Sequence, residues 1–179
     1  MKVLFLPLLC LALLSFNQPK TEKKAKKVSF SGTLTETNDY CGGARPSDEI
    51  LTQLGTPRPL ANKKIYIKKG EVNTFDNKVI LVLTSDSKGN FHAKLRPGKY
   101  LVVDSTKKDP AYYNQLLKTY KNQTANYLAI DSLCLKEWYV KPTGVFEVSA
   151  TEKKSITVNF HKACSEAIPC TRYTGPFRQ

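Results

Sequence analysis

Catalytic residue types are scarce in this chain. Only two of its 179 residues are histidine, His92 and His161, and both fall on the polar positions of alternating segments. A lone histidine on the outer face of a strand is ordinarily a surface residue rather than a base. No Gly-x-Ser-x-Gly elbow, His-Glu-x-x-His helix or phosphate-binding glycine loop occurs, which leaves the common hydrolase and nucleotide-binding chemistries without their signatures. The carboxylates Asp48, Glu49, Asp131 and Glu137 have no spacing that implies a catalytic pair. A Cys-x-x-Cys pair is missing, and no internal repeat is visible. The apolar run Val3–Leu14 is shorter than the roughly 20 residues a bilayer-spanning helix needs. These absences point away from an enzyme and name no ligand.

What is present is β-structure. In Thr84–Val103 the run Asp86-Ser87-Lys88-Gly89-Asn90 has turn chemistry, with Gly89 free to take a positive φ. Phe91, Ala93 and Leu95 then alternate with His92, Lys94 and Arg96, the period of a half-buried strand. Pro97-Gly98 turns the chain again, Gly98 being the second structural-turn glycine. Lys99–Val103 leaves as a β-prone strand.

Further strands follow from the same logic. Val28, Phe30, Gly32 and Leu34 alternate with polar residues, and Lys64–Lys69 and Lys78–Thr84 are the next two strands. Val79–Leu83 is apolar on both faces, which predicts a central position. Phe146–Ala150 and Ile156–Phe160 alternate around Thr151–Lys154 and read as a closing hairpin. Two helical insertions are predicted. The first, near 46–54, has Ser47 as its N-cap and stops at Gly55. The second, near 109–121, starts at Asp109-Pro110 and buries Tyr113, Leu116, Leu117 and Tyr120. Cys134–Val140 reads as a strand or an irregular lid.

The string Thr84-x-Asp86-x-x-Gly89-x-Phe91…Leu95-x-Pro97-Gly98-x-Tyr100, led in by Pro59–Ile67, resembles carboxypeptidase-regulatory-like and Cna-B-type domains. The matching segments, about Val28–Leu34 and Pro59–Val103, make up under half of the chain. The resemblance implies a prealbumin-like antiparallel β-sandwich, and domains of this kind serve as spacers, stalks and accessory modules. A similar run leads to the iron site of intradiol dioxygenases, with Tyr100 at the matching tyrosine. The Arg-Pro-x-His-x-His segment that should follow is absent, so no iron site is implied and no cofactor is expected.

Lys2 followed by the apolar run has the form of an export signal. The expected organisation is a signal peptide over 1–18, a basic tether over 19–27, a sandwich over 28–163 and a cysteine-containing tail over 164–179. Cys10 lies inside the signal, without the small residue before it that a lipid anchor would need. The chain left after the signal, about 160 residues, suits one domain with a real core. Its destination is then periplasmic, cell-surface or extracellular, with no transmembrane helix in the mature chain.

An even set of four cysteines in an exported chain reads as two disulfides: Cys41, Cys134, Cys164 and Cys170. Three pairings are open, and the favoured one joins Cys164 to Cys170 and Cys41 to Cys134. The alternative use of the same residues is a zinc site on His161, Cys164 and Cys170, completed by Cys41 or Cys134.

The remaining candidates concern partners. The formal net charge is +13, and Lys94 and Arg96 belong to a basic surface suited to an acidic glycan or lipid headgroup. Nucleic acid is the poorest fit for an exported chain. Trp138 and Tyr139, if exposed, could stack on sugar rings or anchor a protein partner. If buried, they are core beneath a helix. The function expected is a non-enzymatic binding or structural module recognising a glycan, an anionic surface or a protein. The alternative is a small secreted metalloprotein or enzyme built on the Cys/His residues.

Overall fold

Two four-stranded sheets face each other across one apolar layer in this computed structural model, which describes residues 25–151, 155–164 and 167–176. The expected signal, most of the basic tether and Glu152–Lys154 of the expected hairpin turn lie outside those residues. β1 (Val28–Asn38) is the middle of the first sheet. On one side it pairs antiparallel with β5 (Asn90–Leu95) and, further along, with β2 (Arg58–Pro59). On the other it pairs parallel with β8 (Ser155–Lys162). The second sheet runs β4 (Val79–Thr84), β3 (Lys64–Lys69), β6 (Gly98–Val103) and β7 (Gly144–Val148), all antiparallel. The fold is therefore mainly β, a two-sheet sandwich with short helices.

Period-2 alternation builds the layer between the sheets. Phe30 and Leu34 of β1, Phe91 and Leu95 of β5, and Val158 and Phe160 of β8 meet Ile65, Ile67, Tyr100, Val102, Phe146 and Val148 from the other sheet. Phe30 stacks on Phe146 at 5.3 Å between centroids and meets Phe91 edge-on at 6.1 Å. Each such side chain contributes about 1.5–3 kcal/mol of transfer free energy when fully buried. Gly89 has φ +80° in the turn before β5, and Gly98 has φ +146° where the chain passes from β5 to β6.

Three expectations are corrected. β4 is an edge strand rather than a central one, because among the described residues β3 is its sole neighbour in the sheet. Its outward residues Ile80 and Val82 stay about half exposed. β7 and β8 do not form a hairpin: β7 closes the second sheet on β6, while β8 crosses to lie parallel to β1. Alternation shows which residues face inward but not which sheet a strand joins. Finally, Cys134–Val140 is helical, inside α3 (Ser132–Val140). Asp131 caps it by accepting from the backbone N–H groups of Leu133 and Cys134. α1 (Asp48–Gly55) has Ser47 as its cap, accepting from Ile50 N, and α2 is Ala111–Thr119.

α2, α3 and their flanking loops form a lid on the outer face of the second sheet. Leu101 and Val103 point away from the sandwich core yet are fully buried, together with Leu135 and Tyr139 of α3 and Leu116 of α2. The lid stops short of β4. Across the sheet, Val103, Tyr66 and Val82 lie in one cross-strand row; Val103 is buried, Tyr66 half-buried and Val82 exposed.

Candidate functional site

The end of the lid is fixed by a buried polar cluster. Lys68 has no exposed surface, and its ammonium donates to Asn73 Oδ1 at 2.7 Å and to the Lys107 carbonyl at 3.2 Å. Asn73, also fully buried, donates its amide hydrogens to the carbonyls of Lys107 and Tyr139 at 3.1 and 2.9 Å. Its backbone N–H donates to Val140 O. One strand, one loop and both flanks of the helical insertion are thereby joined. Burial lowers the Lys68 pKa, opposed by the charge of Asp109. Burial also lowers Lys107, to about 8, against Asp104, while Lys141 adds to the lowering.

Between this cluster and the exposed edge lies an open cleft of about 660 Å³. Tyr66, Phe75, Val79, Val82 and Pro110 supply its apolar walls; Asp76, Lys78, Lys108 and Asp109 rim it. Phe75 is held from below by Tyr139, stacked at 4.6 Å and 12°, and from the side by Tyr113, edge-on at 5.0 Å. Rigid aromatic support of a partly exposed ring, next to bare aliphatic residues, suits recognition of an apolar group. Sequence reasoning missed Phe75, Ile80, Val82, Lys68 and Asn73. The sequence signal nearest to this cleft is Val79–Leu83, whose two apolar faces fit a central strand as well as an edge beside an apolar cleft.

The expected site residues are dispersed. Trp138 is half-buried, with Lys107 Nζ 4.4 Å from its ring centroid and Tyr112 at 6.2 Å. Tyr139 has no exposed surface and cannot stack on a sugar. Lys94 is exposed on the outer face of the first sheet, beside Ser29, Ser31, His92 and Ser155 in a shallow cleft of about 540 Å³. Arg96 lies past the end of β5 and donates from Nε to Ala25 O at 3.2 Å. Lys94 and Trp138 occupy opposite faces of the sandwich and cannot share a ligand.

All four cysteines of the described residues are in disulfides, but not in the favoured pairing. Cys41 bonds Cys164, and Cys134 bonds Cys170, with Cα–Cα distances of 5.5 and 5.6 Å. The parallel pairing of β1 and β8 decides the first. Asn38 is opposite Lys162, and Asp39 N donates to Lys162 O, so both chains leave the sheet side by side. The second follows from the tail returning along residues 126–131, where Asp131 N donates to Cys170 O and Leu128 N to Arg172 O. The zinc alternative fails on the same finding, since Cys164 and Cys170 sit in different disulfides. His161 instead contacts Asp39 Oδ1 through Nε2 at 2.8 Å and Thr37 Oγ1 through Nδ1 at 3.3 Å. Among the described residues no three His, Cys, Asp or Glu side chains converge as a metal site.

The class defined here is a disulfide-stapled β-sandwich with a helical lid on one sheet. No protein-family model matches the chain, and no curated protein matches it. Among solved structures it is similar to the shaft pilin spaA from Lactobacillus rhamnosus GG, in its E269A mutant, at 16% identity and TM-score 0.34. That match covers 78% of this chain and 51% of the pilin, so the chain spans about half the pilin's length. The N-terminal domain of the same pilin gives 17% identity and TM-score 0.32, covering 77% of this chain and 96% of that one. Neither likeness assigns a residue or an activity to this chain.

Proposed function

We propose that this chain is an exported, non-enzymatic module that acts by binding or by holding a structure together. The pair of disulfides is the observation that carries this reading. Such bonds form and persist in oxidising compartments, and these two tie the ends of β1 and β8 and the lid to the tail. The cleft beside Phe75 favours a protein or other apolar-bearing partner over a purely anionic one, because its walls are apolar and its rim carries both signs of charge.

Two measurements test this. Cell fractionation should find the full chain outside the cytoplasm and a variant lacking Met1–Asn17 inside it. Continued export of the shortened chain would refute the signal. A screen of the oxidised protein against glycan, anionic-vesicle and protein arrays should give a binder lost in Phe75→Ala. Turnover of a substrate in an activity screen would instead revive the enzyme alternative.

A further inference from the structure

The outer face of the first sheet is polar in a particular way. β1 turns a hydroxyl outward at every second position from Ser29 to Thr37. The outward positions of β5 and β8 add asparagine, histidine, lysine, serine and threonine, and no carboxylate stands at any of them. Solvent-facing surface ordinarily mixes both signs of charge, so a face with cations alone departs from a merely solvated one.

The two ends of this face differ. At one end the side chains satisfy each other. Thr33 donates to Asn90 Oδ1 at 3.2 Å, Thr35 to Asn159 Oδ1 at 2.9 Å, and Asn159 Nδ2 to Thr37 Oγ1 at 3.1 Å. At the other end Ser29, Ser31, His92, Lys94 and Ser155 make no side-chain hydrogen bond to any described residue. These five converge on the cleft of about 540 Å³. Ser31 is opposite His92 on one side and Ser155 on the other, and Ser29 is opposite Lys94. With strands about 4.8 Å apart, the row Ser155–Ser31–His92 spans about 10 Å, and the Ser29–Lys94 row lies about 7 Å further along.

More cations gather at this end. Lys26 and Lys27, both exposed, precede β1, and exposed Arg96 follows β5. Arg96 Nε donates to Ala25 O, which holds the two segments together. None of Lys26, Lys27, Lys94 and Arg96 is paired with a carboxylate of the described residues.

We propose that this end of the face binds an acidic polysaccharide. Its sulfate or carboxylate groups pair with Lys94 and Arg96, while its hydroxyls exchange hydrogen bonds with Ser29, Ser31 and Ser155, which can donate and accept. A bilayer is the poorer occupant, because none of the exposed large hydrophobic residues lies on β1, β5 or β8 to enter it. The inference rests on the binding-module reading and gives it a second partner, on the face opposite the Phe75 cleft.

Surface plasmon resonance of the oxidised protein should show binding to immobilised heparin or alginate that weakens with salt, and none to neutral dextran. Lys94→Glu should weaken it at least about tenfold, with the thermal midpoint little changed. Lys118→Glu makes the same charge change at an exposed position of α2 and should cost much less. Ser31→Val leaves the charge alone and should still weaken binding more than Lys118→Glu does. The inference is overturned if neither acidic polysaccharide binds, if Lys94→Glu and Lys118→Glu lose equally, or if Ser31→Val loses nothing. Stronger Lys94-dependent binding to phosphatidylserine vesicles would also overturn it, in favour of a membrane. Phe75→Ala should bind heparin as the wild type does, so loss of the partner at the Phe75 cleft and loss of the polysaccharide are read separately.

Discussion

Lys68 donates to Asn73 Oδ1 at 2.7 Å, and neither side chain has any surface exposed to solvent. The buried ammonium therefore depends on two protein acceptors, the Asn73 amide and the Lys107 carbonyl. Removing a partner from a buried charge is costly, because the group loses its acceptor without regaining water. Asn73→Leu should cost about 3 kcal/mol, and Lys68→Met less, since Asn73 keeps its two carbonyl acceptors. Chemical denaturation of both variants and of the double variant checks this. A double variant worse than the sum of the singles would contradict a shared network.

Gly89 and Gly98 should respond differently to alanine. A Cβ on Gly89 would lie 2.5 Å from the Leu34 carbonyl oxygen, in addition to the cost of its positive φ. On Gly98 the nearest atoms are 3.9 Å away, leaving only the backbone cost. Gly98→Ala should lower stability by about 1 kcal/mol, and Gly89→Ala by about 2 kcal/mol or more. Equal denaturant midpoints for the two variants would refute the close approach of Gly89 to β1. Gly98→Val should cost at least as much as Gly98→Ala.

Peptide mapping without reduction should recover Cys41 linked to Cys164 and Cys134 linked to Cys170. The two bridges close sequence separations of 123 and 36 residues. In the chain-entropy account, removing the longer one costs about 1 kcal/mol more, from a total of about 4–5 kcal/mol each. Comparing Cys41→Ala/Cys164→Ala with Cys134→Ala/Cys170→Ala by denaturation tests the order. A larger loss from the shorter loop would show that the lid's native contacts, rather than unfolded-chain entropy, dominate.

Stability should rise with pH above neutrality. Lys107 is lowered to about 8 by burial, against roughly 10.4 for a lysine in the unfolded chain. Between those values the unfolded state binds more protons, so raising the pH favours the folded state. The penalty on charged Lys107 is fully present below pH 8 and is relieved on going toward 10; Lys68 shifts in the same direction. Burial raises Tyr139, Tyr112 and Tyr100, which opposes further gain once tyrosine begins to ionise near pH 10. The denaturant midpoint should therefore climb from pH 7 to about 9.5, and less so in Lys107→Met. A flat wild-type profile would refute it.

Strand positions and inward-facing residues were legible because period-2 alternation is a local property. Phe91 and Leu95 face the core for the same reason that His92 and Lys94 do not. The turn glycines and the Ser47 cap were legible too, since their chemistry acts within a few residues. Cys134–Val140 was not, because seven residues that mix Leu, Trp, Tyr and Val with Lys136 and Glu137 have the composition of either a strand or a short helix.

By itself the sequence determined a mainly β sandwich, its turn positions, a pair of disulfides and the scarcity of catalytic groups. Tertiary structure decided which sheet each strand joins, and from that came the rest. Sending β8 back beside β1 brought Cys41 to Cys164. Leaving β4 at the edge exposed Ile80 and Val82, while the lid buried Tyr139 and enclosed Lys68. Each outcome depends on contacts between residues far apart in the chain, and side-chain alternation carries no information about which distant strand will lie alongside.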